Sequence, residues 1–368
     1  MVGAVKLVMT LLCRDESDIV EAQLAFHLDA GVDYVIATDH RSQDGTTEIL
    51  QRYEREGHLH LLREEATEFS QAAWVTGMAR LAATDFGADW IINADADEFW
   101  WPRGGSPKEI LSAVPRRYGV VRGFQRHFAP RPDEEGHFAE RMTVRMTPFR
   151  TPLGPDDPFP GTIQVVHRAD PAVSVRAGNH DVRGRGLLPL RGWYPFEVLH
   201  FPLRALEQAR AKFAHRVSGV RVDRDAVGHH ALSAAGAIED GRFGDWYSQY
   251  VVDDAALGRG LADGTLAVDT RLRNALRRLA GVRELPARPA PAHALPGRDA
   301  HRLEFVRGDL AEEAAYAHEM QPLDEWDSQL RALQRVSALE GRLADLERGL
   351  GARVRGRLRR PRKGASTR

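Results

Sequence analysis

The sequence predicts an α/β fold: a mostly parallel central sheet with helices on both faces, followed by a C-terminal helical extension. Three observations carry that prediction. Apolar, β-rich runs alternate with helical stretches through the first hundred residues, which is the order parallel strands need, because each crossover helix returns the chain to the same end of the sheet. Trp90–Ile92 is a short apolar run of the kind buried on both faces of a covered sheet. Acidic residues stand just beyond three of the strands, as Asp15/Glu16, Asp39/Asp44 and Asp95/Asp97, on the edge where such sheets bind ligands.

Taken in order, Ala4–Leu12 reads as the first strand. Ser17 or Asp18 is placed to cap a helix carrying Ile19, Val20, Leu24 and Leu28 on one face, with Gly31 to end it. Tyr34–Thr38 is a second strand and Thr46–Glu56 a second helix stopped by Gly57. His58–Leu62, Gln71–Ala83 and Trp90–Ala94 continue the alternation as strand, helix and strand. Past Pro102 the pattern changes. Val120–Phe128 and Met142–Phe149 read as strands around a charged loop at Arg131–Glu140, and Pro152–Pro160 reads as a loop. Ile163–His167 and Val173–Val175 are short strand candidates, and Leu203–Val217 is an amphipathic helix introduced by Pro202.

This divides the chain into an α/β domain over residues 1–282, with a first half at 1–101 and a second half at 102–282. A proline-rich linker follows at 283–300, then a helical extension at 301–350 and a basic, disordered tail at 351–368. The net charge of −1 gives no argument for a nucleic-acid partner. A lone cysteine, Cys13, excludes an internal disulfide framework, and no apolar run is long enough to span a bilayer. These features point to a cytoplasmic protein. The basic tail suits peripheral contact with the anionic inner membrane face, and the C-terminal helix suits self-association.

The chemistry is concentrated in Asp95-Ala96-Asp97-Glu98, directly after the apolar strand. Residues two apart point to the same side of an extended chain, so Asp95 and Asp97 can face one ligand. Two like charges at the end of a buried strand are costly unless a cation neutralises them, and carboxylate oxygens suit Mg2+ or Mn2+.

Three pieces in order, Cys13-Arg14-Asp15-Glu16, Thr38-Asp39-His40-Arg41-Ser42-Gln43-Asp44-Gly45-Thr46 and Asp95-Ala96-Asp97-Glu98-Phe99, resemble the family 2 glycosyltransferases with a GT-A nucleotide-diphospho-sugar transferase fold, in the subgroup that favours Asp-x-Asp-Glu-Phe. The resemblance spans roughly residues 5–215 and departs at His40-Arg41, where the family carries a second aspartate and smaller residues. It implies transfer of a sugar from a nucleotide-diphosphate sugar to an acceptor hydroxyl on a glycan, a lipid-linked glycan or a small molecule, with metal dependence and inversion. In that scheme Asp39 accepts hydrogen bonds from the base or ribose, Asp44 divides between capping and ligand contact, and Asp15 and Glu16 sit at the donor. Asp97 is the direct metal ligand, Asp95 contacts ribose or metal, and His200, with His180 behind it, completes the metal sphere. Lys212 and Arg204 face the diphosphate, and Glu98 braces an arginine. The general base is Glu197, with Asp181 and Asp157 as alternatives. Three other readings compete. A haloacid-dehalogenase-like phosphatase would carry its Asp-x-Asp on the first strand. A metal-dependent nucleotidyltransferase would need a glycine-rich phosphate loop. A degenerate, non-catalytic interaction module would not need the intact Asp95/Asp97 pair.

Overall fold

The computed structural model describes residues 5–67, 69–147, 159, 162–218 and 229–285. The Pro-rich linker from residue 286, the helical extension, the basic tail and Asp157 lie outside the described residues. The first half alternates as the sequence predicts: β1 (Leu7–Cys13), α1 (Val20–Asp29), β2 (Tyr34–Asp39), α2 (Thr46–Arg55), β3 (Leu59–Arg63), α3 (Gln71–Thr84) and β4 (Trp90–Asp95). Then come β5 (Glu98–Pro102), α4 (Pro107–Ala113), β6 (Val120–His127), α5 (Phe138–Arg141), β7 (Val144–Met146), β8 (Ile163–Arg168), β9 (Ser174–Val175), β10 (Val182–Arg183) and β11 (Phe196–His200). The described chain closes with α6 (Leu206–Ser218), α7 (His229–Glu239), α8 (Phe243–Ser248), α9 (Asp254–Asp263), β12 (Leu266–Val268) and α10 (Arg271–Ala280).

Eight strands form one sheet in the order β3-β2-β1-β4-β8-β6-β11-β5. Pairing is parallel at β3–β2, β2–β1, β1–β4 and β6–β11, and antiparallel at β4–β8, β8–β6 and β11–β5. Strand alternation divides the core in two. Leu7, Met9 and Leu11 of β1 pack with Val20, Leu24 and Phe26 of α1 and with Leu272 and Leu276 of α10. Val8 points the other way and packs with Val75, Met78 and Ala79 of α3. Helices therefore cover both faces, and the fully buried β1 reads as a continuous apolar run rather than an alternating one.

The structure revises several sequence-based expectations. Trp100 and Trp101 belong to β5 at the far edge of the sheet, a strand not expected from the sequence. Within the expected strand at Met142–Phe149, Val144–Met146 is strand and pairs with Leu266–Val268 in a separate ribbon, while residues 148 and 149 lie outside the described residues; Phe138–Arg141 is a short helix. Neither Ser17 nor Asp18 caps α1. Its N-cap is Ile19, without a side-chain cap, and the Glu16 carbonyl accepts the Ile19 and Val20 amides instead.

His27 ties α1 to β5. Its ring is 1 % exposed, with Nδ1 2.8 Å from the Gln23 carbonyl and Nε2 accepting the Trp100 amide at 3.0 Å. Those partners fix the neutral tautomer with hydrogen on Nδ1. Burial holds the imidazole at about 4, below its ordinary 6.5. Above pH 6.5 neither state binds the proton. As pH falls from 6.5 to 4 the unfolded chain takes it up and the native ring does not, so stability is lost over that window, by about 3 kcal/mol in all. Urea unfolding is expected to show the gap between wild type and His27→Gln narrowing as pH falls from 7 to 4.5; a constant gap would contradict this.

Candidate functional site

A solvent-open cleft lies beyond the carboxyl ends of β1, β2 and β4. The β1 end supplies Arg14, Asp15 and Glu16, the β2 end His40, the β4 end Asp95 and Asp97, and α6 adds Lys212 and His215. The chain leaves β4 at Asp95, turns through Ala96–Asp97 and re-enters the sheet as β5, so Asp97 sits on a turn held between two strands. Its backbone carbonyl accepts the Phe201 amide at 2.9 Å, which fixes the turn against the end of β11.

Asp97 is 1 % exposed. Its Oδ2 accepts a hydrogen bond from Lys212 Nζ and lies 3.5 Å from His200 Nε2. Burial alone would raise the Asp97 pKa, but Lys212 and His200 outweigh it and hold the carboxyl well below the usual range. Asp95 is the more accessible of the pair. Its Oδ1 accepts the side-chain amides of Gln71 and Asn179, each at 3.1 Å. Glu98 braces no arginine: its carboxylate takes the amides of Gln125 and Gln164 and the backbone amide of Asp95. Burial, with Asp95 and Asp97 beside it, pushes that carboxyl up.

The first two loops are laced together by their acids. Asp44 Oδ1 accepts the Thr46 amide at 3.0 Å at the start of α2, while Oδ2 accepts the Ser17 amide at 2.9 Å. Asp15 Oδ1 accepts the Gln43 amide at 2.7 Å, and its Oδ2 lies 3.2 Å from His215 Nε2. Asp39 is buried, with Oδ1 accepting the Ser42 amide and Oδ2 accepting Thr47 and Arg63. Its ion-pair partner is thus Arg63 on β3. His40 packs against Trp74 with ring centroids 4.6 Å apart and planes tilted by 47°, and Arg14 reaches both His40 Nδ1 (3.5 Å) and His215 Nδ1 (2.9 Å). Asp15, Arg41 and Asn179 are the non-glycine residues with positive φ among the described residues, at 52°, 58° and 60°. All three lie in the loops that build this site, where strained backbone concentrates.

Other nominated residues stand elsewhere. Glu197 does not line the cleft. It is 4 % exposed, and its oxygens are held at 2.6 Å each by Arg126 and Arg271. Burial would raise its pKa, yet the two guanidiniums keep it well below the usual range, which makes it a poor proton acceptor. The pair fastens α10 to the sheet. His180 is exposed and its Nδ1 faces the Ile163 carbonyl at 3.2 Å. Asp181 lies two residues beyond Asn179, outside the cleft lining. Arg204 precedes α6 and is wholly buried, bonded to Glu16 and Asp18 rather than facing the cleft.

Sequence reading missed Gln71, Asn179 and His127. The His127 and His200 Nδ1 atoms are 2.9 Å apart. Two nitrogens at that distance share one proton, so one ring donates and the other accepts. The sequence signal for Asn179 is its place directly before His180, itself nominated as a metal ligand.

Among the described residues, no group of three or more His, Cys, Asp or Glu side chains forms a metal cage. The donors nonetheless suit Mg2+ or Mn2+. Asp97 Oδ2 and His200 Nε2 are close enough for one ion to bridge, and such ions commonly take one or two carboxylates with substrate phosphates completing the sphere. Among the described residues no helix is long and apolar enough to cross a membrane.

No protein-family model and no curated protein matches the chain. Solved structures do. TarS of S. aureus, residues 1–349, in complex with UDP is 10% identical over 60% of this chain and 68% of its own, with a TM-score of 0.31. The mannosyltransferase PcManGT from Pyrobaculum calidifontis, in complex with GDP-Man and Mn2+, is 16% identical over 74% and 78%, at 0.30. Glucosyl-3-phosphoglycerate synthase from Mycobacterium tuberculosis, with Mn2+, UDP and glucosyl-3-phosphoglycerate, is 18% identical over 33% and 44%, at 0.24.

Proposed function

We propose that the chain is a GT-A-type glycosyltransferase that moves a sugar from a nucleotide-diphosphate sugar to an acceptor hydroxyl, using Mn2+ or Mg2+ and inverting the anomeric carbon. One observation carries the reading: a buried aspartate, Asp97, on a turn at the carboxyl end of β4, facing a lysine and a histidine in an open cleft. A leaving diphosphate gains charge as the sugar–oxygen bond breaks, and cationic groups fixed in advance stabilise it.

In this reading Asp97 and His200 hold the metal, which when bound supplies Lewis-acid neutralisation of the diphosphate. Asp95, locked by Gln71 and Asn179, accepts from the ribose hydroxyls. Lys212 and Arg14 add positive charge along the diphosphate path. The His40 ring, backed by Trp74, and Phe69 give the base an aromatic wall. Asp39 and Asp44 act through the backbone of the second loop, whose shape they set. The acceptor is a glycan, lipid-linked or small-molecule hydroxyl, and Asp181 and Asp157 stay candidate bases, Asp157 lying outside the described residues.

A thermal-shift comparison of UDP, GDP and ADP, each with and without Mn2+, tests the proposal. A diphosphate present at about 100 times its Kd stabilises the native state by about 2.7 kcal/mol. One nucleotide is therefore expected to raise Tm by about 5 °C or more with Mn2+. No shift from any of them would end it.

A further inference from the structure

Lys212 stands where the reading above needs a divalent ion. Its Nζ is bonded to Asp97 Oδ2, the same oxygen that His200 Nε2 approaches at 3.5 Å, and it lies 3.7 Å from Glu16 Oε1. Both carboxylates are buried. A buried carboxylate left without a counter-charge is costly, so something positive must occupy this position at all times. A divalent ion bridging Asp97 and His200 would take that oxygen and repel the ammonium beside it. Lysine suits an exchange of this kind: its charge is a compact point on a flexible four-carbon stem, and this side chain is 21% exposed.

We propose that Lys212 is the resident counter-cation of Asp97, and that it couples metal binding to nucleotide binding. Without metal, the ammonium neutralises Asp97. When metal enters, the ammonium is displaced toward the incoming diphosphate, which offers it new anionic oxygens. Metal without nucleotide has to move Lys212 off Asp97 toward Glu16, whereas a diphosphate offers the displaced ammonium further anionic oxygens, so each ligand tightens the other by the same factor. This rests on the nucleotide-sugar reading for its second partner, but the contest between Lys212 and the metal can be measured with Mn2+ alone.

The experiment compares Mn2+ affinity, by loss of the free-ion electron paramagnetic resonance signal, in wild type, Lys212→Met and Lys212→Arg. Met keeps the length of the stem and removes the charge; Arg keeps the charge. Lys212→Met is expected to bind Mn2+ alone at least tenfold more tightly than wild type, and Lys212→Arg no more tightly than wild type. The gain should vanish in the Lys212→Met/Asp97→Asn double variant. If Lys212→Met folds poorly in metal-free buffer, Mn2+ is expected to restore its melting transition, raising its Tm more than that of wild type. Unchanged or weaker Mn2+ binding in Lys212→Met overturns the proposal, as does a gain that survives Asp97→Asn. Titrating UDP and GDP into wild type with and without Mn2+ separates the two readings. If neither nucleotide binds while Lys212→Met still gains Mn2+ affinity, the glycosyltransferase reading fails and the counter-cation role stands. If a nucleotide binds but Lys212→Met gains no Mn2+ affinity, the reverse holds.

Discussion

Asp97→Asn is expected to lower sugar transfer, and hydrolysis of the donor in Mn2+, by about a thousandfold, equivalent to ~4 kcal/mol of transition-state stabilisation. The substitution is close to isosteric. It removes the one carboxylate that faces both His200 and Lys212. An amide oxygen carries no net charge, so it holds a divalent ion weakly and leaves Lys212 drawn toward Glu16, 3.7 Å away. The expected loss lies mainly in kcat, because the charge it compensates develops as the bond breaks. Far-UV circular dichroism should be unchanged, since the turn is held by the Asp97 backbone carbonyl and the Phe201 amide, not by the carboxylate. Retention of more than a tenth of wild-type turnover in a folded Asp97→Asn protein would remove Asp97 from the chemistry.

Why Asp97 was legible in sequence, and its supports were not, has a physical answer. A buried strand announces itself as an apolar run, and acids at its end are costly enough to demand a reason. That argument needs only local sequence. His200 and Lys212 were nominated through the family resemblance, which places a histidine and a helix carrying a lysine in this later region. Asn179, Gln71 and His127 reach the site through strand order. β8 runs antiparallel between β4 and β6, so its end at Arg168 lies beside Trp90 and the chain has to return before Asn179 reaches Asp95, and no periodicity encodes that insertion and return. Glu197 misled for the same reason. Its place in β11 is readable, but the arginines that claim it come from β6 and α10, 71 and 74 residues away in sequence. The α/β alternation of the first half was readable because each crossover is local. The β7–β12 ribbon, joining residues about 120 apart, was not.

Arg204 was read as a cation facing the diphosphate, and its burial leads to the largest stability effect expected here. The side chain is 0 % exposed. Nε and Nη2 bond the two oxygens of Asp18 at 2.6 and 2.8 Å, Nη2 also bonds Glu16, and Nη1 donates to the Phe201 carbonyl at 3.1 Å. One planar fork thus joins the loop before α1 to the end of β11 and the start of α6. Asp18 is 44% exposed and can turn to water when the partner is lost, whereas Glu16 is buried and cannot. Arg204→Met fills similar volume but takes the closer of two cations from Glu16, leaving Lys212 3.7 Å away, and breaking a buried pair in this way costs about 3–5 kcal/mol. For a chain of this size that lowers Tm by roughly 10 °C. Arg204→Lys keeps the charge without the fork and should recover only part of the loss. The decisive comparison is Glu16→Gln/Arg204→Met, which removes both ends of the pair. If the loss of this cation from Glu16 is the cause, the double variant melts above Arg204→Met alone, with a coupling of about 1 kcal/mol or more in the cycle. If the two losses simply add, Arg204 stabilises by packing and its contact with Phe201, and the ion pair carries little of the effect.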